Sequence, residues 1–198
     1  MKKKVLIAIP CANYCENETF CGVFALKRPE NTELSFSIVR GFGVAEVRNQ
    51  MVEGSLQGGF DYTLFIDSDI IVPRSLLERL LLLDADIAAG WYVKKIPELR
   101  DKPTTLFIAK NESWHNVPES EIPKDRVMPV VGCGMGCTLI KNELFPKVYD
   151  GTYFSFIHQK DCEVGEDLVF CTKAIQAANA KILIDTSLRC GHIGKIIL

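Results

Sequence analysis

The chain has 198 residues, of which 47% are hydrophobic and 24% are charged, so its length and composition suit one globular domain with a sizeable core. Its formal net charge of −2 excludes a nucleic-acid binder that works by bulk positive charge. No stretch approaches the roughly 18 apolar residues of a membrane span, and the apolar run after the basic residues 2–4 is too short for a signal peptide. The eight cysteines include no CxxC pair, so we expect reduced thiols in a cytoplasmic protein, with a structural zinc site as the alternative.

The first half of the chain alternates apolar strands with amphipathic helices. Polar residues with scattered Cys and Phe predict an irregular loop at 11–32. The order of elements is βαβαβ, which predicts a mostly parallel sheet with helices on both faces. The predicted strands are 4–10, 34–39, 62–66 and 87–93, and the predicted helices are 44–56 and 75–83.

The second half of the chain is more mixed. Strands are predicted at 104–109, 127–131, 136–140 and 181–184. A helix is predicted at 167–178, where apolar residues repeat at spacings of three and four. The segment 94–126 is rich in Lys, Pro and Glu and predicts a mobile, loop-bearing region. The predicted fold is therefore α/β, with a nucleotide-binding half joined to a smaller mixed half.

Two carboxylates, Asp67 and Asp69, directly follow the apolar strand in "DYTLFIDSDIIVP". In an extended chain both side chains point the same way, and at about 6 Å two such charges repel by roughly 3 kcal/mol at an effective dielectric near 20. A cation offsets this cost, and Mg²⁺ or Mn²⁺ commonly joins carboxylates to substrate phosphates. Open α/β sheets bind ligands at the carboxyl ends of their strands, where this pair is expected. The alternative is a pair of aspartates that cap the helix starting near Pro73, or a solvated turn.

The segment "FIDSDIIVP" resembles the DxD motif of GT-A-fold glycosyltransferases, and other segments resemble that family in the same order. The resemblance covers most of the chain and implies one GT-A-like domain over 1–198, with a nucleotide-binding half at 1–93 and an acceptor and metal half at 94–198. A short total length and an unusual stretch at 11–26 leave the acceptor open. The similar segments are "VLIAIPC", "VAEVRNQMVEGSLQGGFDYTLFIDSD", "DADIAAGWYVKK", "VVGCGMGCTLIKNELF" and "GEDLVFCTKAIQAANAKILID".

The resemblance implies a divalent metal, Mn²⁺ or Mg²⁺, with three protein ligands. Asp67 would lie near the ribose and the metal, and Asp69 would bind the metal that holds the donor diphosphate. His192, between two glycines in "CGHIG", would be the third ligand, and a surface histidine in a glycine turn is the alternative. The metal would offset the charge that grows on the leaving diphosphate.

Nucleotide contacts are implied for four residues. Pro10 and Cys11 would meet the base through backbone atoms, and Ser68 lies between the two aspartates. Arg48 would contact the nucleotide, and a solvated charge on the polar face of its helix is the alternative.

The donor sugar is expected beside Trp91 and Gly134. Trp91 and Tyr92 alternate in a strand, so only one of them can face a sugar, and we assign Trp91 to that role. Gly132, Gly134 and Gly136 alternate in "GCGMG", which is not the dinucleotide fingerprint because no helix follows. Alternate glycines indicate that some group approaches this backbone closely, or that the strand bulges.

Glu166 and Asp167 follow Gly165 and begin a helix, where acidic residues also favour the helix dipole. In inverting members of the resembled family, the aspartate of this motif takes the proton of the acceptor hydroxyl. The resemblance therefore makes Asp167 the catalytic base, with Glu166 as its neighbour in the catalytic motif. In a retaining enzyme Asp167 would only position the acceptor or the sugar.

These features predict a metal-dependent glycosyltransferase that moves a sugar from a nucleotide-diphosphate sugar to an undefined acceptor. One alternative is a nucleotidyltransferase, although its usual Gly- and Arg/Lys-rich phosphate loop is replaced here by "PCANYCENETF". The other alternative is a non-catalytic module that binds a nucleotide or a sugar. Oligomeric state, donor base and donor sugar are not defined by the sequence.

Overall fold

The computed structural model describes residues 2–96, 101–111, 113–159 and 162–194. In this part of the chain no helix is both long enough and apolar enough to cross a membrane. The helices are α1 (Asn17–Phe24), α2 (Val44–Gln57), α3 (Leu76–Leu80), α4 (Phe145–Val148) and α5 (Glu166–Ala178). The strands are β1 (Lys3–Cys11), β2 (Thr32–Arg40), β3 (Tyr62–Ile66), β4 (Ile70–Ile71), β5 (Ile87–Trp91), β6 (Pro103–Lys110), β7 (Ser113–Pro118), β8 (Val127–Pro129), β9 (Gly132–Cys133), β10 (Cys137–Lys141), β11 (Ile157–Gln159), β12 (Cys162–Val164), β13 (Ile182–Arg189) and β14 (Gly191–His192).

A mixed sheet forms the centre of the molecule, and its seven strands within the described residues have the order β2-β1-β3-β10-β5-β13-β8. Strand β1 runs parallel to both β2 and β3, and β5 runs parallel to β13. Strand β10 lies antiparallel between β3 and β5, and β8 is antiparallel at one edge. The predicted α/β fold with a mostly parallel sheet is confirmed. Because β10 runs against its neighbours, the residues that precede it lie at the carboxyl ends of β3 and β5.

Apolar layers cover both faces of this sheet, and strand β3 shows how the sequence builds them. Successive side chains of a strand point to opposite faces. Phe65 packs in the layer formed with α2, α4 and α5, whereas Leu64 and Ile66 pack in the layer formed with α1 and α3. All three side chains are fully buried. A strand that is buried on both faces reads as a continuous apolar run, as "TLFI" does.

Helix α1 corrects the prediction of an irregular loop at 11–32. Thr19 and Val23, four residues apart, are buried on the side of the helix that contacts β4. Phe20 and Phe24 lie on the exposed side and stack on each other, with ring centroids 6.3 Å apart. The helix was missed because its largest apolar side chains face outwards, which reverses the expected amphipathic pattern.

A second small sheet replaces most of the loop predicted at 94–126. It has the order β7-β6-β9, with every pairing antiparallel. The predicted strand 104–109 lies within β6, whereas β7 was missed because its sequence, SWHNVP, is largely polar. The predicted mobility of this segment falls partly on 97–100 and 112, which lie outside the described residues.

The cysteines are mostly buried in the two apolar layers. The seven cysteines with described side chains form no disulfide, and five of them are buried. Buried thiols of this kind pack as small apolar side chains.

Candidate active site

The Asp67–Asp69 segment forms a tight turn that connects β3 to β4. The backbone N–H of Asp67 donates to the carbonyl of Gly136 at 3.1 Å, and the N–H of Ile70 donates to the carbonyl of Asp67 at 3.1 Å. The turn therefore sits at the carboxyl end of β3, beside the glycine-containing segment that leads into β10. The backbone at 67–70 is a turn, as the solvated-turn alternative predicted, but the turn also places its aspartates among other charged groups.

Arg48 lies at the centre of those charged groups. Its Nη2 donates to Asp67 Oδ1 at 2.7 Å, and its Nε donates to Glu166 Oε1 at 3.2 Å. The guanidinium carbon lies 5.3 Å from the centre of the Phe65 ring, and Arg48 is only 2% exposed. Burial lowers the pKa of Arg48, but Asp67 and Glu166 raise it by more, so the group is held as a cation. The alternative of a solvated charge is therefore wrong, because this face of α2 packs towards the start of α5.

This arrangement fixes what Asp67 and Glu166 can do. Glu166 is buried and gives one oxygen to Arg48, a contact that its predicted place in the catalytic motif does not require. Asp67 gives Oδ1 to Arg48 and keeps Oδ2 near the backbone of Gly136. One buried cation therefore faces two carboxylates, and the three groups together keep a net charge of about −1.

Asp69 and His192 meet because β14 pairs antiparallel with β4, with His192 opposite Ile70. The N–H of Ile193 donates to the carbonyl of Asp69 at 2.9 Å, and His192 Nε2 lies 3.7 Å from Asp69 Oδ2. The Lys95 ammonium contacts the same oxygen. Burial raises the pKa of Asp69, but the adjacent His192 and Lys95 lower it by more, so that its pKa falls to about 2. Asp69 is therefore a carboxylate at any physiological pH.

The ring of His192 is oriented for a cation at Nε2. Its Nδ1 lies 2.8 Å from the carbonyl of Val93, and a carbonyl can only accept, so Nδ1 carries the proton. In the neutral ring Nε2 then directs its lone pair towards the carboxylate of Asp69. Because both groups are electron-pair donors, only a proton or a metal ion between them can bind to both. Over the described ranges, no three His, Cys, Asp or Glu side chains form a metal cluster by themselves. A divalent ion here would bind Asp69 and His192 and complete its shell with substrate or water oxygens.

Asp167 lies in the first turn of α5, where its Oδ1 accepts a hydrogen bond from the N–H of Leu168 at 2.8 Å. Burial and the neighbouring Glu166 raise its pKa, Leu168 and Arg48 lower it, and the result is a pKa of about 6. Asp167 also lines a cleft of about 360 Å³, together with Thr105 and Phe107. A carboxyl with such a pKa can exchange a proton near neutral pH.

The structure brings Tyr92, not Trp91, to these groups. The Tyr92 hydroxyl accepts a hydrogen bond from the N–H of Gly136 at 3.1 Å, and its ring packs edge-on against His192 with centroids 5.1 Å apart. Trp91 points to the opposite face of the sheet and donates from Nε1 to the carbonyl of Thr186 at 2.8 Å. The prediction that the two aromatic rings take opposite faces is confirmed, but the choice of Trp91 for the site is not supported.

Gly134 and Gly136 make room for Tyr92. A Cβ at Gly134 would lie 2.6 Å from the Tyr92 hydroxyl, and a Cβ at Gly136 would lie 2.7 Å from that hydroxyl and 2.9 Å from Asp67 Oδ2. The predicted close approach to this backbone is confirmed, and the group that approaches is a side chain of the protein itself.

We expect Gly136→Ala to lower the free energy of unfolding by about 2–3 kcal/mol, because Tyr92 and Asp67 must both move away from the new methyl group. Gly54→Ala is the matched control, since a Cβ there meets nothing within 4 Å and α2 gains about 0.5–1 kcal/mol from the better helix former. Urea denaturation of both variants measures the difference. Equal unfolding free energies would contradict the proposed crowding.

A cleft of about 380 Å³ opens beside the two aspartates, between the ends of β1 and β2 and the start of α2. Phe42, flanked by Gly41 and Gly43, stands 98% exposed at this cleft and was not predicted as a site residue, although "GFG" is a visible signal. A larger cavity of about 760 Å³ lies at the opposite end of the sheet and is lined by none of the predicted site residues. The lining of the first cleft includes Pro10, Cys11, Ala12, Gly41, Phe42, Gly43, Val44, Val47, Asp67, Ser68 and Asp69.

This sheet, with its helices and its strand-end cluster of charged groups, is a GT-A-like α/β fold. No protein-family model matches the sequence, and no curated protein matches it. The chain is similar to the crystal structure of A197 from STIV, with a TM-score of 0.67 and 20% identity over 98% of this chain and 87% of that one. It is also similar to the crystal structure of GalNAc-T7 with UDP, GalNAc and Mn²⁺, with a TM-score of 0.64 and 14% identity over 98% of this chain and 44% of that one. At these identities the likeness shows a shared fold.

Proposed function

We propose that the protein is a glycosyltransferase that moves a sugar from a nucleoside-diphosphate sugar to an acceptor, with Mn²⁺ or Mg²⁺ bound at Asp69 and His192. The convergence of these two side chains at the edge of the 380 Å³ cleft is the observation that carries the proposal. The GT-A-like fold supports it, as does the presence of UDP and Mn²⁺ in the GalNAc-T7 structure.

The donor nucleotide would occupy the cleft in the nucleotide-binding half, 1–93. The base would enter between Phe42 and the backbone of Pro10 and Cys11, and the diphosphate would extend past Ser68 towards Asp69. Arg48 is buried beneath this cleft, so it would hold Asp67 in place rather than touch the nucleotide.

The metal would be held by Asp69 Oδ2 and His192 Nε2, and the hydrogen bond from Nδ1 to Val93 orients the imidazole. When bound, a divalent ion offsets the charge that develops on the leaving diphosphate. Asp67, the other predicted metal ligand, would contact the ion only through its Oδ2, because its Oδ1 accepts the hydrogen bond from Arg48.

Asp167 would be the base of an inverting transfer. An acceptor hydroxyl in the cleft beside Thr105 and Phe107 would give its proton to the Asp167 carboxylate as its oxygen bonds to the sugar carbon and the diphosphate leaves. A pKa of about 6 leaves this carboxylate mostly ionised at neutral pH and able to accept a proton. Glu166 accepts a hydrogen bond from Arg48 and would thereby hold the guanidinium between Asp67 and the start of α5.

Calorimetry with UDP and GDP, each with and without Mn²⁺, tests the proposal. We expect at least one of them to bind more tightly with Mn²⁺, and we expect Asp69→Ala to remove that effect because it deletes the carboxylate nearest to His192. The control is Asp84→Ala, which removes a well exposed aspartate. Nucleotide binding that is indifferent to Mn²⁺ would refute the metal-dependent transferase, and binding without any hydrolysis or transfer of a sugar would favour a non-catalytic module.

A further inference from the structure

We propose that Lys95 is the counter-cation of Asp69 in the donor-free protein and moves to the donor diphosphate when a divalent ion takes its place. The first half of this inference stands on the contacts of Lys95, and the second half rests on the proposed function. Lys95 would thus be a positioning residue for the donor, which the sequence patterns did not indicate.

The Lys95 ammonium contacts Asp69 Oδ2, the same oxygen that faces His192 Nε2 at 3.7 Å. An ammonium and a divalent ion at one carboxylate oxygen repel each other, so they cannot share this position. A metal ion that binds Asp69 and His192 must therefore displace Lys95.

The backbone around Lys95 is anchored, whereas its side chain can move. The N–H of Lys94 donates to the carbonyl of Pro103 at 2.8 Å, and the carbonyl of Val93 accepts from His192. The Lys95 side chain itself is 40% exposed and has a long flexible stem. A displaced ammonium thus swings about a fixed backbone and stays close to the site.

The place to which Lys95 can swing is the junction of two clefts. It lines a cleft of about 330 Å³ that shares Ala12, Ser68 and Asp69 with the proposed nucleotide cleft. A diphosphate bound to a metal at Asp69 would lie at this junction. The diphosphate of a nucleotide sugar carries about two negative charges and that of free UDP about three, so one divalent ion that is also bound to the Asp69 carboxylate leaves net negative charge beside Lys95. A lysine ammonium is a compact charge that commonly binds phosphate oxygens.

Lys94 provides the matched comparison. It is adjacent in sequence and equally charged, but its ammonium lies 5.0 Å above the ring of Phe107, on the Asp167 side. The proposal therefore predicts different behaviour for two neighbouring lysines. A general effect of positive charge near the site predicts the same behaviour for both.

The first measurement is titration with Mn²⁺ alone, in the absence of nucleotide. We expect Lys95→Ala to bind Mn²⁺ about two- to fivefold more tightly than the wild type, as removal of a competing exposed ion pair implies. Lys94→Ala should bind Mn²⁺ as the wild type does. Unchanged or weaker Mn²⁺ binding by Lys95→Ala would overturn the role as counter-cation.

The second measurement compares UDP with UMP at saturating Mn²⁺. We expect Lys95→Ala to lose about tenfold in UDP affinity and to keep its UMP affinity, since only UDP has the second phosphate, and we expect Lys95→Arg to retain UDP binding. Equal losses for UDP and UMP would overturn the diphosphate role. If the wild type binds no nucleotide with either base, the diphosphate role fails with the proposed function, while the Mn²⁺ titration still decides the first half.

Discussion

Replacing Arg48 with methionine is expected to lower the free energy of unfolding by about 3–5 kcal/mol and to abolish any transfer activity. The guanidinium is 2% exposed and is the shared partner of Asp67 and Glu166. Without it, Glu166 is left buried and ionised against an apolar side chain, and Asp67 loses the contact that orients the turn. Urea denaturation measures the free energy of unfolding, and titration with UDP and Mn²⁺ measures the nucleotide affinity of the site.

Two further variants make this prediction specific. Arg40→Met removes an exposed arginine from β2 and should change the unfolding free energy by less than about 0.5 kcal/mol. Adding Glu166→Gln to Arg48→Met removes one of the stranded charges, so it should recover part of the lost stability but none of the activity. If Arg48→Met proves as stable as the wild type, the ion cluster of Arg48, Asp67 and Glu166 does not stabilise the packing of α2 against α5 and the Asp67 turn.

Replacing Asp167 with asparagine is expected to reduce transfer by a factor of about 10²–10⁴ and to leave UDP binding with Mn²⁺ intact. The amide cannot accept the proton of an acceptor hydroxyl, but it has nearly the same shape and can still accept the hydrogen bond from Leu168. Sugar transfer and UDP affinity are measured on the same preparation. Full activity of this variant would remove Asp167 as the base.

The same substitution should stabilise the protein at neutral pH. Burial and Glu166 raise the pKa of Asp167 from 3.8 to about 6, so the folded state holds this proton more tightly than the unfolded chain does. Stability therefore falls as the pH rises from about 4 to about 6 and stays lower above that range, by about 2–3 kcal/mol. Asp167→Asn lacks this penalty and should unfold at a higher urea concentration at pH 7.5 than the wild type.

Asp150→Asn is the control for this pH dependence. Lys173 lowers the pKa of the exposed Asp150, so its substitution should bring no gain in stability at pH 7.5. Unfolding free energies measured at pH 4.5 and pH 7.5 test both variants. A wild type and an Asp167→Asn variant with the same stability at both pH values would contradict the raised pKa.

The sequence predicted the strands and helices better than it predicted their arrangement. The apolar runs identified β1, β3 and β5, because a strand buried on both faces has a continuous apolar sequence. It also predicted a strand at 136–140, but not that β10 would lie antiparallel between β3 and β5. That placement depends on pairing between segments far apart in the chain, to which local periodicity is insensitive.

In the candidate site, too, individual residues were predicted better than the contacts between them. The DxD resemblance and the strand-end rule singled out Asp69, the resemblance also implied His192, and the structure brings the two side chains together. The burial of Arg48 and the position of Lys95 were not predicted, because the environment of a charged side chain depends on which element packs against it. Glu166, at the start of α5, contacts Arg48 on the same face of the sheet, and no pattern within α2 reveals that contact.

The pairing of β14 with β4 has a consequence for how the protein would acquire the proposed divalent ion. Their ladder consists of only two residue pairs, Gly191 with Ile71 and His192 with Ile70, and so short a ladder does not persist alone. Strand β13 pairs with β5 and leads directly into β14, so the docking of β13 would bring His192 to Asp69. A nascent or partly unfolded chain would therefore present Asp69 without His192 and bind Mn²⁺ weakly. Ion uptake would then report the last step of assembly, and Mn²⁺ would in turn favour the finished sheet by mass action.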